Sequence, residues 1–233
     1  MPGAREDVSR VVGSLSADHG LSAMLVLLVL LIVVIQPLGE LGVVGRVLAT
    51  LYFSLTLISG VWTVAGTRRG AAAVGALVAA GVLVRGMRLW HGNDSFLLSS
   101  ALVSCVFCIV VAAVVLAQVF RAGPITFHRI RGAVAAYLLF GLAWAFAYEA
   151  VAIERPDAFV MPSRYATSGD EVISHFVYFS FVTLTTVGYG EMTAIHPVAR
   201  SLVILEALAG QLFPAILLAR LVSLQTSRHD GGT

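Results

Sequence analysis

A short stretch late in the chain, residues 185–191, has the composition of a loop that presents backbone oxygens to a cation. Gly188 and Gly190 lack a Cβ, so they reach backbone conformations with positive φ at no steric cost. Such conformations let successive carbonyl groups face one axis, and the hydroxyl of Thr186 adds an oxygen at the inner end. Several copies of this loop around one axis would replace the water shell of a cation. A glycine-rich turn between two helices is the alternative interpretation.

Residues 186–190 read TVGYG and resemble, without a mismatch, the selectivity filter of the potassium channel family. The matching filter residues are Thr186, Val187, Gly188, Tyr189 and Gly190. The resemblance implies that K⁺ is bound by the main-chain carbonyls of the first four residues and by the threonine hydroxyl. It also implies that four identical chains surround one pore, so that each chain has three identical partners. Ions would cross passively, so we expect no enzymatic activity and no cofactor besides K⁺ as the permeant ion.

The residues around the filter show both agreement with the family and departures from it. Tyr178 and Phe179 lie where the family places aromatic residues that support the filter tyrosine, and simple apolar packing is compatible with that role. Glu191 occupies the outer mouth, where the family motif usually continues with aspartate, so the charge has a longer reach. Val182 stands where some simple bacterial channels carry a carboxylate in the pore helix.

The composition indicates a membrane protein with lipid as a surrounding partner. Hydrophobic residues make up 58% of the chain and charged residues 12%, against roughly 25% charged residues in soluble domains. The net charge of +2 gives no indication of nucleic-acid binding. Cys105 and Cys108 form a C-x-x-C inside an apolar segment without nearby histidines or carboxylates. We interpret them as packing residues rather than as a metal or redox site.

Six apolar segments are long enough to cross a hydrocarbon core of roughly 30 Å. They are residues 21–38, 42–66, 71–90, 96–120, 133–153 and 198–222. The run 172–185 is too short to span, and it follows Ser168 and Glu171, a capping-box pattern that starts a helix. A short helix that leads directly into TVGYG is typical of a re-entrant pore loop. The predicted fold is therefore an all-α membrane protein with six transmembrane helices, a pore helix and a filter loop, assembled as a tetramer.

The sequence divides into five predicted parts. They are a cytoplasmic N-terminal tail (1–20), a four-helix transmembrane domain (21–120), an interfacial linker helix (121–132), a pore domain (133–222) and a cytoplasmic tail (223–233). Arginines are modestly enriched on the side that holds both termini, which predicts a multi-pass protein with cytoplasmic ends and an outward-facing filter. The resemblance to bacterial channels implies the bacterial inner membrane.

Three residues of the last predicted helix attract attention. A carboxylate at membrane depth is expensive, so Glu206 either packs behind the pore helix and adjusts filter stability, or is a protonated or paired structural residue. Gly210 follows Gly190 by twenty residues and matches the glycine hinge of the family; the alternative interpretation is that it only allows a close approach of the pore helix. Pro214 removes a helical hydrogen bond and is expected to kink the helix.

The first four predicted spans resemble the layout of a voltage sensor but lack its charges. Voltage sensing needs several charges within one helix, each worth roughly 2.3 kcal/mol per 100 mV. The segment 96–120 contains no charged residue, and Arg85 and Arg88 have the position of interfacial anchors. Steep voltage gating is therefore not predicted. Membrane lipid, a partner, or pH acting through histidines remain open as stimuli; these histidines are His128, His175 and His196.

Two other functions fit parts of the sequence. The first is a subunit of a potassium transporter, although such proteins usually carry four degenerate loops in one chain and this chain has one complete loop. The second is a membrane sensor with a vestigial pore. The intact Thr186, Gly188 and Gly190 argue against that second alternative.

Overall fold

The computed structural model describes residues 21–34, 95–120, 127–162 and 172–229. It also describes nine single helical residues between positions 48 and 83: Leu48, Tyr52, Leu55, Thr56, Gly75, Ala76, Ala79, Gly81 and Leu83. The described helices are α1 (Leu21–Val34), α2 (Ser95–Val119), α3 (Phe127–Glu154), α4 (Val172–Leu184) and α5 (Pro197–His229). Two short strands, β1 (Phe159–Val160) and β2 (Thr193–Ala194), pair antiparallel.

Several predictions fall largely outside the described residues. These are the N-terminal tail (1–20), most of the second and third predicted spans (42–66 and 71–90), the start of the linker helix (121–126), the capping box at Ser168 and Glu171, and the last four residues (230–233). Arg85 and Arg88 belong to this group as well. The count of six spans therefore stays a prediction.

Three of the described helices are long and apolar enough to cross a membrane. Their spanning parts are Phe96–Val119, Arg129–Glu154 and Pro197–Arg220. Helix α2 has 25 residues and is about 37 Å long at 1.5 Å per residue, which exceeds the roughly 30 Å of a hydrocarbon core. Helix α4 has only 13 residues and ends one residue before the predicted boundary. Its length agrees with a helix that enters the membrane without crossing it.

Two helices are longer than the sequence predicts. Helix α3 begins at Phe127, so residues 127–132 form its first turns and not a separate linker helix. Helix α3 continues through Gly132. This glycine lets α3 approach α2, because a Cβ there would lie 2.9 Å from Cγ2 of Val119. Helix α5 continues to His229, so residues 223–229 extend the helix instead of forming a tail. It also continues through Pro214.

Helix α3 is the centre of the described structure, because it contacts α2, α4 and α5. Apolar residues spaced three or four apart place one face of each helix in a common core, as expected for packed helices. Buried members include Met24, Leu28 and Leu31 of α1, Phe107, Val111 and Val115 of α2, and Leu139, Leu142 and Phe146 of α3. Helix α5 also contacts α2 through a polar group. A guanidinium N–H of Arg220 donates to the carbonyl of Phe120, the residue after α2, over 3.0 Å.

Glycines allow α4 to lie unusually close to both of its neighbours. A Cβ on Gly141 of α3 would lie 2.7 Å from Cζ of Phe181. A Cβ on Gly210 of α5 would lie 2.1 Å from the carbonyl oxygen of Leu184, the last residue of α4. Gly210 therefore serves the close approach of α5 to the pore helix, and its role as a hinge stays a prediction.

These two glycines predict different responses to the same substitution. In Gly210→Ala the new methyl meets backbone atoms that cannot move without displacing a helix end, so we expect a loss of about 3 kcal/mol in unfolding free energy, the upper part of the range for overpacking. In Gly141→Ala the methyl meets the far edge of a phenylalanine ring that can rotate, and the expected loss is about 1 kcal/mol. Thermal unfolding of the detergent-solubilised variants measures both losses. Equal losses would contradict the described approach of α5 to Leu184.

Candidate functional site

The TVGYG loop (residues 186–190) has a backbone in which the sign of φ alternates. The angle is 61° at Thr186, 55° at Gly188 and 79° at Gly190, whereas Val187 and Tyr189 between them lack positive values. Alternation between right-handed and left-handed backbone conformations turns successive N–H groups to one side and leaves the carbonyls on the other. The positive φ predicted for the two glycines is confirmed. The sequence does not predict it for Thr186, where a Cβ makes this conformation cost about 1–2 kcal/mol.

The N–H groups at the start of this loop are directed back to α4. Four of them donate to carbonyls in the last turn of that helix: Thr185 to Phe181 (3.0 Å), Thr186 to Thr183 (2.9 Å), Val187 to Val182 (3.0 Å) and Gly188 to Val182 (3.2 Å). Within the described backbone hydrogen bonds, no carbonyl of residues 186–189 serves as an acceptor. These oxygens are therefore available to a ligand.

The loop lies on the surface of the single chain. All residues from Thr185 to Glu191 are exposed, and the exposed fraction reaches 52% for Val187 and 69% for Tyr189. Glu191 is exposed at the outer end, as the prediction for an outer mouth requires.

Both ends of the loop are held firmly. At the inner end Leu184 is buried, and its carbonyl oxygen accepts a hydrogen bond from the Tyr137 hydroxyl of α3 over 3.2 Å. At the outer end Met192 is buried, and β2 pairs with β1 in the register Phe159 to Ala194. Because both ends of the loop are fixed and its first N–H groups are bonded to α4, the loop can hold its carbonyls in place without a ligand.

The predicted supporting aromatic residues differ in their surroundings. Phe179 is buried against α3 and β1, with ring centroids 5.1 Å from Tyr148 and 5.9 Å from Phe159. Among the described ring contacts of the single chain none joins Phe179 to Tyr189, and support of the filter tyrosine by Phe179 stays a prediction. Tyr178 is half-buried on the same helix.

Glu206 lies in the core between three helices, where its side chain is completely buried. The hydroxyl of Tyr148 from α3 donates to Oε2 of this residue. On the other side, Oε1 lies 2.5 Å from Oγ of Ser180 in α4, and the same Oγ lies 2.7 Å from the carbonyl oxygen of Gly141. We call Tyr148, Ser180 and Glu206 the carboxyl cluster. The predicted position of Glu206 behind the pore helix agrees with these contacts.

Two of the three members of this cluster, Tyr148 and Ser180, and one residue near the loop are not among the residues predicted from the sequence. Ser180 is a fully buried hydroxyl in an apolar helix, four residues before Leu184 and hence on the same face. Glu206 precedes Gly210 by the same spacing on α5, which was the available signal that the two faces meet. Gln211 follows this glycine, and its Nε2 lies 3.2 Å from Oγ1 of Thr186.

The other candidates have simpler surroundings. Pro214 lies inside α5. Cys105 is half-buried and Cys108 buried, and both are free thiols in or against the apolar core of α2. Within the described residues, no three histidine, cysteine or acidic side chains lie together as a metal site would require.

Comparison with protein families supports a channel function for the second half of the chain. Residues 133–226 match a family model described as "Ion channel". The match covers less than half of the 233 residues, and it includes most of α3, all of α4 with the TVGYG loop, and nearly all of α5. Searches of the curated proteins and of the solved structures find no match to this chain. The match and the apolar helices together support an ion channel domain in a membrane protein.

Proposed function

We propose that this protein is a potassium-selective channel, in which four copies surround one pore with the carbonyls of Thr186, Val187, Gly188 and Tyr189. The observation that carries the proposal is the alternating φ of the TVGYG loop, which leaves these carbonyls without backbone partners. Gly190 completes the alternation. Rings of such oxygens replace the hydration shell of K⁺, and their number and geometry favour it over Na⁺.

The surface of the single chain supports an assembly of several copies. One chain supplies one strand of carbonyls, which surrounds a cation only when further copies supply the rest. The spanning part of α5 is 11% buried, compared with 44% and 50% for α2 and α3, so most of its apolar surface is available to neighbouring chains or lipid. Homotetramer formation would also cover the exposed Val187 and Tyr189.

Helix α4 provides an electrostatic contribution to this pore. Its last residue, Leu184, is separated from the loop only by Thr185, and the C-terminus of a helix carries roughly half a negative charge. Four such ends directed toward the inner side of the filter would stabilise a cation there. The ion passes without a chemical reaction, so the proposed function includes no catalysis and no cofactor.

Potassium flux from proteoliposomes tests this function. We expect the protein to pass K⁺ but not Na⁺, and we expect Ba²⁺ to block it, because Ba²⁺ is close to K⁺ in size and carries twice the charge. Gly188→Ala should reduce the flux more than tenfold: the new Cβ meets no atom within 4 Å, but φ of 55° costs an L-residue about 1–2 kcal/mol in each of four chains. Val187→Ala keeps the carbonyl at a position without positive φ and serves as the matched control.

The other outcomes of this experiment identify the alternatives. Uptake that requires a second solute gradient or an energy source would indicate a transporter subunit. A correctly assembled protein that passes no ion would indicate a sensor with a vestigial pore. Equal flux of K⁺ and Na⁺ would contradict selectivity by the TVGYG loop.

The voltage dependence of the conductance gives a further test of the proposed function. Helix α2 has no charged residue and packs its apolar face on α3, so it carries no charge through the membrane field. We expect a conductance that changes little over about 100 mV on either side of zero, and we expect the double variant Arg85→Gln and Arg88→Gln to behave like the parent. Planar-bilayer recordings measure both. A steep sigmoidal curve equivalent to several charges per chain would contradict this prediction.

A further inference from the structure

Glu206 is a carboxyl group at membrane depth, and each of its two oxygens contacts one hydroxyl oxygen. Tyr148 donates to Oε2, whereas Oε1 lies 2.5 Å from Ser180 Oγ. The serine Oγ is in turn 2.7 Å from the main-chain oxygen of Gly141. The two separations at Ser180 Oγ are within the range of an O–H···O hydrogen bond, which requires one hydrogen between each pair of oxygens.

Counting hydrogens decides the charge of Glu206. The Gly141 carbonyl has none, the Ser180 hydroxyl has one, and an ionised carboxylate has none. With an ionised Glu206, the single serine hydrogen would have to serve two contacts, so one close pair of oxygens would have no hydrogen between them. A proton on Oε1 completes the series: Glu206 donates to Ser180, Ser180 donates to Gly141, and Tyr148 donates to Oε2.

The described surroundings of Glu206 provide no cation to compensate a charge. Among the described residues, no arginine or histidine forms an ion pair with Glu206, and its neighbours in the carboxyl cluster are neutral hydroxyls. An unpaired buried charge is strongly destabilising. Because Glu206 has no exposed surface even in the single chain, a neighbouring copy in an assembly has no access to it.

We propose that Glu206 is a positioning residue that acts as a neutral acid: it donates its proton to Ser180 and so fixes the pore helix α4 between α3 and α5. Two contacts between α4 and α5, one helical turn apart on the same faces, support this arrangement. At one level Glu206 meets Ser180, and one helical turn later Gly210 meets Leu184. Only Thr185 separates Leu184 from the TVGYG loop, so the carboxyl cluster sets the position from which that loop begins.

Two substitutions separate a neutral donor from a carboxylate. In Glu206→Gln the amide can still donate to Ser180 and accept from Tyr148, so we expect the unfolding midpoint to stay within about 2 °C of the parent. Glu206→Met has similar length but cannot form either hydrogen bond, and it leaves the Tyr148 hydroxyl buried without an acceptor. We expect its midpoint to fall by about 5 °C or more.

Infrared difference spectroscopy at pH 7 reads the protonation directly. The spectrum of the parent minus that of Glu206→Gln should contain the carbonyl stretch of a protonated carboxylic acid. The same difference for Glu154→Gln, an exposed residue at the end of α3, should contain the bands of an ionised carboxylate instead. This readout needs only the folded full-length protein, so it applies even if Glu206→Met fails to fold.

The results that overturn the inference are distinct from those that overturn the proposed function. Carboxylate bands for Glu206, or a midpoint for Glu206→Gln as low as that for Glu206→Met, would show that the ionised form is the one required. The inference rests on the proposed function only for conduction: K⁺ flux should be retained in Glu206→Gln and lost in Glu206→Met. Absence of flux in the parent would contradict the channel but leave the spectroscopic and unfolding tests valid.

Discussion

The contact between Gly210 and the carbonyl of Leu184 is the constraint on which the proposed pore depends. The two helices are so close at this point that a single added methyl would lie 2.1 Å from the oxygen. Leu184 ends α4 and begins the approach to the TVGYG loop, and the same oxygen accepts the hydroxyl of Tyr137. Helices α3 and α5 therefore fix one atom that only Thr185 separates from the proposed ion-binding residues, so a displacement of this atom would also displace their carbonyls.

The loop presents its carbonyl oxygens with three positive φ angles, two at glycines without strain and one at a threonine with strain. Glycine adopts positive φ without a penalty, and Gly188 and Gly190 occupy two of the three positions that require it. Thr186 occupies the third in spite of its Cβ, and it keeps a hydroxyl that Gln211 of α5 contacts. The strain at Thr186 is offset by hydrogen bonds that direct the N–H groups of the loop into the last turn of α4.

The sequence predicts the local features of the site well, because they depend on short-range chemistry. The lengths of α2 and α4 follow from their apolar runs, and positive φ at Gly188 and Gly190 follows from their missing side chains. The partners of Glu206 were not predictable, because Ser180 and Tyr148 are 26 and 58 residues away and meet it only through helix packing. The aromatic neighbours of Phe179 were missed for a similar reason: α3 and β1 provide them, and the spacing of Phe179 from TVGYG does not indicate them.

The central claim is that the carbonyls of Thr186, Val187, Gly188 and Tyr189 bind dehydrated K⁺ on a fourfold axis. Crystals of the full-length protein grown with Rb⁺ or Tl⁺ in place of K⁺ test it directly, because both ions resemble K⁺ in size and scatter anomalously. The proposal predicts anomalous peaks in a row on the fourfold axis, at the level of these carbonyls, and no such row when Na⁺ is the cation. A tetramer without peaks at this level, or an assembly in which the loops do not share an axis, would contradict it.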